Sequence, residues 1–293
     1  MSRSIAIYRV AALIGMTIYL CTALVGARAL SRLRLERPGA LSDEFVGRWA
    51  RATRELIGMR VRVGGEIPRG PVAIVANHLS YIDIIALWCV VPGVFVARAD
   101  VARWPLIGWA SQLVGTIFID RTRKRDLLRV IPEMEAPLAE GRSVIFFPEG
   151  TSSRGLDVLP FKSSLFEAAA RQSAPVVGAS LEFETHPPAT SADWSVCWWG
   201  EMTFAPHVFA LLQLPTFEAR IRFSSPIEVV DATRHPTHRP GRSDPPSRTR
   251  KQLCRLAHEA VEKTFTPTTP TRATRPPVLP TPSPPTSHTE EEQ

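Results

Sequence analysis

The stretch 71-PVAIVANHLSYID-83 decides the fold, because an apolar run ends abruptly in two polar side chains. Residues 71–76 have the composition of a buried strand, and Asn77 and His78 follow directly. In open α/β sheets, ligands bind at the carboxyl ends of the strands. We therefore expect His78 to lie at such an edge, within a functional site.

The rest of the chain repeats this strand-and-helix pattern. The helical patterns at 124–140 and 163–172 lie between strand-like runs. Alternation of this kind predicts an α/β fold with a mostly parallel central sheet flanked by helices. The 293 residues suit one such domain with appendages. The further strand-like runs are 94–97, 115–119, 143–147, 175–181 and 219–223.

The N-terminal part favours a membrane. Val10 to Ala27 are 18 residues without a charge, about 27 Å of helix and just enough to cross a bilayer core. The larger arginine cluster follows this segment, which favours a cytoplasmic body. A cleaved signal peptide ending near Ala27-Arg28-Ala29 is the alternative, although the apolar run is long for one. Residues 42–59 predict an amphipathic helix that packs on the core or lies on the membrane.

These patterns divide the chain into four segments. Residues 1–59 are membrane-anchoring helices, and 60–232 form the α/β domain, with its motifs within 70–185. Residues 233–265 form a basic segment and a C-terminal helix over 252–265. The Pro- and Thr-rich residues 266–293 predict a disordered tail.

Charge is concentrated near the two ends of the chain. The net charge is +7, and arginines are dense within residues 1–37 and 234–251. Such basic margins suit anionic membrane lipids. Nucleic acid would be attracted as well, but no nucleic-acid motif lies between them, so we expect no such partner. The four cysteines have no metal-ligand spacing, and we expect no metal site; they are Cys21, Cys89, Cys197 and Cys254.

His78 and Asp83 form the first candidate catalytic pair. Five residues apart, they cannot meet on one regular helix. They can meet if His78 lies in the strand–helix turn and Asp83 in the first turn of the helix. Asp83 would then orient one ring nitrogen and leave the other as a general base. The alternative is structural, because Ser80-Tyr81-Ile82-Asp83 also matches a helix capping box.

Two further blocks follow strands and suit an anion. Gly115 to Arg121 ends in an arginine whose planar fork can bind two phosphate oxygens, or which merely pairs on the surface. Phe147 to Gly155 contains Glu149, Gly150, Thr151, Ser153 and Arg154, and its glycines allow an anion-binding turn. An ordinary turn is the alternative. Lys162 adds a second cation or is a solvated residue at a helix start.

Together the blocks resemble the glycerolipid acyltransferase family, typified by bacterial 1-acylglycerol-3-phosphate acyltransferase. The family patterns are N-H-x-S-x-x-D, matched at 77–83, G-x-x-F-I-D-R, matched at 115–121, and F-P-E-G-T, matched at 147–151. The resemblance implies that His78 and Asp83 are the catalytic dyad and that Arg121 holds the acceptor's phosphate. Glu149, Gly150 and Thr151 match the family's acceptor-binding block. We also expect Ser80, Ser153, Arg154 and Lys162 to contribute to acceptor binding.

The resemblance also implies a reaction. The free hydroxyl of lysophosphatidic acid would attack the thioester of acyl-CoA or acyl-carrier protein, without metal or other cofactor, in phospholipid biosynthesis. We expect a bacterial inner-membrane enzyme with its active site on the cytoplasmic side. A soluble acceptor, glycerol-3-phosphate, is a rival. A rival of another class is a non-catalytic lipid-binding membrane protein on the same fold.

Two departures from the family pattern bear on the acceptor. Ser152 stands where the family often has arginine, with Arg154 two places later, and Gly178 stands where proline is usual. Variants that read F-P-E-G-T-S-S are similar to acyltransferases of lyso-ornithine lipid, so this acceptor stays open. The Trp-rich stretch 194–199 is expected to pack in the core, with acyl-chain binding as the alternative.

Overall fold

The computed structural model describes residues 3–31, 38–229 and 249–268, which fold around a seven-stranded sheet. The strand order is β1-β7-β6-β2-β5-β3-β4, and the five strands from β6 to β4 run parallel. β7 is antiparallel to β6, and β1 is parallel to β7. The strands are β1 Met59–Gly64, β2 Ala73–Ala76, β3 Val94–Arg98, β4 Ile117–Ile119, β5 Val144–Phe146, β6 Val176–Glu184 and β7 Phe217–Phe223.

Helices cover both faces of this sheet, which is what an almost uncharged parallel sheet requires. One face packs on α1, α2, α3, α7 and α8, and the other on α5, α6 and α9. The helices are α1 Arg3–Ser31, α2 Pro38–Ile57, α3 Ile82–Trp88, α4 Ile107–Leu113, α5 Leu127–Ala139, α6 Phe166–Gln172, α7 Ala192–Ser195, α8 Phe204–Leu211 and α9 Arg250–Thr264. The predicted fold class is confirmed.

One strand was not predicted. β1 follows α2 after Gly58 and pairs with β7 at the sheet edge. Arg60 and Arg62 interrupt its apolar residues, so residues 59–64 lack the continuous apolar run of the central strands. Alternation of this kind is typical of an edge strand with one solvated face.

The two N-terminal helices pack against each other in antiparallel fashion. Arg28 donates to Ser42 Oγ at 2.6 Å, and Trp49 donates to Thr17 Oγ1 at 3.0 Å. Near the other end of α1, Arg9 donates to the carbonyl of Leu214 at 2.6 Å, just beyond α8. The uncharged segment predicted over 10–27 therefore lies in one helix that contacts the α/β domain near its first end and α2 near its second. α1 is long and apolar enough to cross a membrane, and only 11% of its most apolar window is buried.

The departure at Gly178 has a packing reason. A Cβ atom on Gly178 would lie 3.0 Å from Cγ2 of Val261 in α9. A larger residue in this strand would push α9 off the sheet, so glycine allows the close approach of helix and strand.

The C-terminal predictions lie largely outside the described residues. Residues 230–248, which carry most of the predicted basic segment, and 269–293, most of the predicted tail, are among those not described. α9 begins with a capping box formed by Thr249 and Gln252. Beyond this helix, the N–H of Thr268 donates to the carbonyl of Gly155 at 2.8 Å, so the chain here contacts the third motif block.

Candidate active site

His78 and Asp83 meet at the carboxyl end of β2. Nδ1 of His78 lies 2.7 Å from Oδ2 of Asp83. His78 is in the turn after the strand and Asp83 is in the first turn of α3, as the sequence predicts. Because an ionised carboxylate only accepts, Nδ1 is assigned as the donor and Nε2 as the free acceptor. No hydrogen bond engages Nε2 among the described residues, and the His78 side chain is 19% exposed.

Asp83 also organises the turn itself. Its Oδ2 accepts from the backbone N–H groups of Leu79 at 2.7 Å and Ser80 at 3.0 Å. The predicted capping interaction is therefore made from the Asp83 side only. Oγ of Ser80 is buried without a hydrogen-bond partner in the described part of the chain, so it does not complete a capping box. One carboxylate thus shapes the turn and aims the imidazole.

The ring of His78 is also held by its neighbours. It stacks on Phe147, with the centroids 4.1 Å apart and the planes 13° from parallel. Just before it, the buried side chain of Asn77 accepts from the N–H of Leu181 at 2.7 Å and donates to its carbonyl at 3.0 Å. This amide continues the pairing of β2 with β6 beyond the end of β2, and so fixes where the turn begins.

Glu149 joins the first and third motif blocks from a buried position. Its Oε2 accepts from the N–H of His78 at 3.1 Å and its Oε1 from that of Leu159 at 3.0 Å. Burial raises the pKa of Glu149 to about 8, although both backbone donors lower it. No ion pair joins Glu149 to Arg121 among the residues described. Glu149 therefore positions the backbone of His78 and offers little surface to a substrate.

Two cations converge on the turn that follows Glu149. Arg121, exposed after β4, donates to the carbonyl of Gly150. Gly150 has φ +79°, and a Cβ atom there would lie 2.8 Å from Nζ of Lys162. The ammonium group therefore lies over the turn. Thr151 is exposed beside it, with only a 3.5 Å contact to the carbonyl of Ser152. Arg121, Lys162 and this turn together suit an anionic group.

The other residues predicted for the third block have internal partners. Ser153 donates its N–H to the carbonyl of His78 at 2.8 Å, and its buried Oγ accepts from Gly155 N–H at 3.3 Å. Arg154 pairs with the fully buried Asp193, with Nη2 2.7 Å from Oδ2. Its guanidinium also lies over the rings of Trp194 and Trp199, 5.1 and 5.5 Å from their centroids. The structure therefore does not bring Arg154 to the cations at Gly150.

The Trp-rich stretch packs behind the turn that carries His78. Trp198 donates its backbone N–H to the carbonyl of Leu79 at 2.8 Å, and Trp199 donates its indole N–H to Asp193 at 2.8 Å. Both tryptophans are half-buried and pack on neighbouring rings, and neither is enclosed in the core. Asn77, Phe147 and Asp193 were given no role from sequence. The first two lie inside motif blocks, but Asp193 has no local signal, since its partner is 39 residues earlier.

Comparison with known proteins agrees with this arrangement. The acyltransferase family profile matches residues 60–182. The chain is 33% identical to the lyso-ornithine lipid O-acyltransferase of Rhizobium meliloti, over 73% of this chain and 72% of that protein. The chain belongs to the acyltransferase family.

Other relatives of the acyltransferase are named for a different acceptor. The 1-acyl-sn-glycerol-3-phosphate acyltransferase of Neisseria gonorrhoeae is 39% identical over 43% of this chain and 50% of its own. The crystal structure of the 1-acyl-sn-glycerophosphate acyltransferase of Thermotoga maritima superposes with a TM-score of 0.56. It covers 88% of this chain and 95% of its own, at 18% identity, which establishes the shared fold alone.

Within the described residues, no three His, Cys, Asp or Glu side chains gather as a metal site.

Proposed function

We propose that this acyltransferase moves a fatty acyl chain from a thioester donor to the free hydroxyl of a lysolipid, with His78 as general base. The 2.7 Å contact between Nδ1 of His78 and Oδ2 of Asp83 carries the proposal. It leaves Nε2 to accept the proton of the hydroxyl as the oxygen attacks the thioester carbon. The C–S bond then breaks, and the protonated imidazole returns the proton to the leaving thiolate. Asp83 stabilises the imidazolium while it exists.

The cations at Gly150 would place the acceptor. Arg121 and Lys162 come from separate elements and meet over one turn, next to the block that Glu149 joins to His78. A carboxylate or phosphate of the acceptor held there would bring the acceptor's free hydroxyl to the imidazole, and fixed positioning contributes strongly to rate. The buried Glu149 serves this geometry by holding the backbone of His78.

Between the two acceptor classes, we propose lyso-ornithine lipid. Its headgroup carries one carboxylate and one amine, whereas lysophosphatidic acid carries a phosphate monoester of higher negative charge. Arg154, the remaining cation of the third block, is paired with Asp193 and lies over two tryptophans. It therefore does not add positive charge at Gly150, and the site suits the acceptor of lower negative charge. The lyso-ornithine relative from Rhizobium meliloti also matches more of the chain than the Neisseria gonorrhoeae enzyme does, 73% against 43%. Lysophosphatidic acid is the second candidate, favoured by the higher identity of 39% to the Neisseria gonorrhoeae enzyme.

The acyl donor and the membrane complete the proposal. Acyl-CoA or acyl-carrier protein would supply the thioester, with no other cofactor, at the cytoplasmic face of a bacterial inner membrane. Because α1 contacts the α/β domain at Arg9 and packs along α2 up to Arg28, we propose that it enters one leaflet and returns with α2. The basic chain ends would then meet anionic lipids.

An acceptor panel tests the assignment. The purified protein in vesicles is given one labelled acyl-CoA, or the matching acyl-carrier protein, with lyso-ornithine lipid, lysophosphatidic acid or glycerol-3-phosphate. We expect labelled product with lyso-ornithine lipid in excess of the others, and none from H78A. A preference for lysophosphatidic acid would reassign the acceptor. Transfer only to glycerol-3-phosphate, or to no hydroxyl at all, would overturn the proposed function.

A further inference from the structure

The segment between β3 and β4 has an apolar sequence but an exposed position. Residues 104–119 contain no charged residue, and α4 (Ile107–Leu113) within them reads IGWASQL. Gly108 is nevertheless the one residue of α4 that is buried. A helix that is apolar nearly all round is normally enclosed in a protein core or a membrane. α4 therefore keeps much of its apolar surface uncovered in the described part of the chain.

The exposed side chains of α4 are large. Ile107 is 41% and Trp109 is 44% exposed, on either flank of the buried Gly108. The inner side of the segment is fixed, since Trp104 packs on Phe204 of α8 with the ring centroids 4.5 Å apart. The exposed surface of α4 is thus held in place on a packed element. We call α4 with its exposed Ile107 and Trp109 the α4 surface.

The position of the α4 surface favours a lipid partner. α4 contacts α1, whose apolar side chains are exposed along its length, so the two apolar surfaces lie side by side. The exposed apolar residues of α1 include Ile5, Ile7, Tyr8, Ile14, Ile18, Tyr19, Val25 and Leu30. Tryptophan beside aliphatic residues is typical of groups at the membrane interface.

Exposed cations lie at both ends of the same segment. Arg103 precedes it, and Arg123 and Arg125 follow it shortly after β4. Arg123 lies 3.3 Å from Asp120, which offsets part of this charge. Basic side chains next to an apolar surface match the anionic headgroups above an acyl layer. The charge complementarity thus points to an anionic lipid surface.

We propose that the α4 surface inserts into the headgroup and acyl boundary of an anionic bilayer, as a second membrane contact beside α1. The inference goes beyond the proposed acyl transfer and does not depend on it. Together with that function, it places Arg121, two residues after β4, at headgroup level. A lysolipid could then reach the cations at Gly150 from the bilayer without crossing water.

Quenching of tryptophan emission by brominated phospholipid tests the contact directly. The full-length protein is bound to vesicles of phosphatidylcholine and phosphatidylglycerol, with and without brominated chains. If all seven tryptophans contributed equally, each would account for the same share of the emission that bromine quenches. We expect the W109F substitution to remove more than one such share. W194F is the control, because Trp194 packs under Arg154, and it should lose little. Quenching unchanged by W109F would overturn the proposal, whether Trp109 faces water or a second copy of the chain.

A paired set of variants tests the consequence for the acceptor. I107Q/W109Q removes the α4 surface, and V63Q/I67Q changes residues of matched exposure, 40% and 42%, at and just after β1 on the opposite sheet edge. We expect I107Q/W109Q to raise the KM for a bilayer-embedded lysolipid several-fold, with the KM for a water-soluble short-chain analogue unchanged. Equal effects of the two double variants, or equal losses with both acceptors, would contradict the lipid contact. Absence of any acyl transfer by the wild type would instead count against the proposed function alone.

Discussion

The imidazole of His78 is fixed from three directions at the scale of single residues. Asp83 holds Nδ1, Phe147 covers one ring face, and Glu149 accepts the backbone N–H. Asp83 belongs to the first motif block, and Phe147 and Glu149 belong to the third. These restraints leave Nε2 as the nitrogen that an incoming hydroxyl can meet, which is the requirement for a positioned general base.

Two arginines of the motif region should respond differently to removal. R121A removes an exposed cation at Gly150 and should raise the acceptor KM by roughly tenfold or more, the worth of a charge-assisted hydrogen bond. R154A leaves the fully buried Asp193 unpaired and should lower the free energy of unfolding by about 3 kcal/mol. Steady-state kinetics and thermal unfolding of the purified variants measure both. A KM defect in R154A without loss of stability would show that Arg154 binds the acceptor.

Sequence alone predicted the residues of the site better than their partners. The meeting of His78 with Asp83 followed from a strand, a turn and a helix start, all local features. The partner of Arg154 did not, since Asp193 lies in a distant loop and only the packed fold brings the two together. Glu149 was expected to bind the acceptor. Its carboxylate is instead buried and accepts hydrogen bonds from two backbone N–H groups.

At the scale of elements, the turn at Gly150 is the part that a small change can test. Gly150 has φ +79°, and Lys162 lies over it; Gly141 has φ +86° with open space around its Cβ position. Alanine is strained at both, by about 1–2 kcal/mol. We expect G150A and G141A to lose similar stability in thermal unfolding. Only G150A should raise the acceptor KM, because its methyl group displaces Lys162. Equal acceptor KM values for G150A and G141A would contradict the role of this turn in acceptor binding.

The elements that sequence predicted are those with long, uniform patterns. The central strands and the helices α1, α2, α5 and α9 follow from apolar runs and amphipathic periods. β1 was not predicted from the sequence because arginines alternate with its apolar residues. α4 was not predicted because its seven residues, which lie between two strands, are too few to show a helical period. Its exposure can be seen only in the structure.

At the scale of the whole molecule, the sheet gathers the functional groups at one edge. β2, β4 and β5 are parallel members of the sheet and deliver His78, Arg121 and Glu149 from their carboxyl ends. Asn77 and α9 secure the sheet beside that edge. α1 and α4 present apolar surfaces to the surroundings. The fold thus brings a base and two cations together in a molecule with an apolar exterior on one side.

The proposed mechanism of acyl transfer requires the free nitrogen of His78. The most direct measurement is the rate of acyl transfer by H78A against wild type, in the same vesicles and with the same thioester donor. Thermal unfolding should differ little, because the side chain lies partly exposed in a turn that Asp83 and Glu149 also hold through backbone donors. We expect the rate to fall by about 10²-fold or more. A folded H78A that transfers acyl chains within about twofold of the wild-type rate would contradict general-base catalysis by His78.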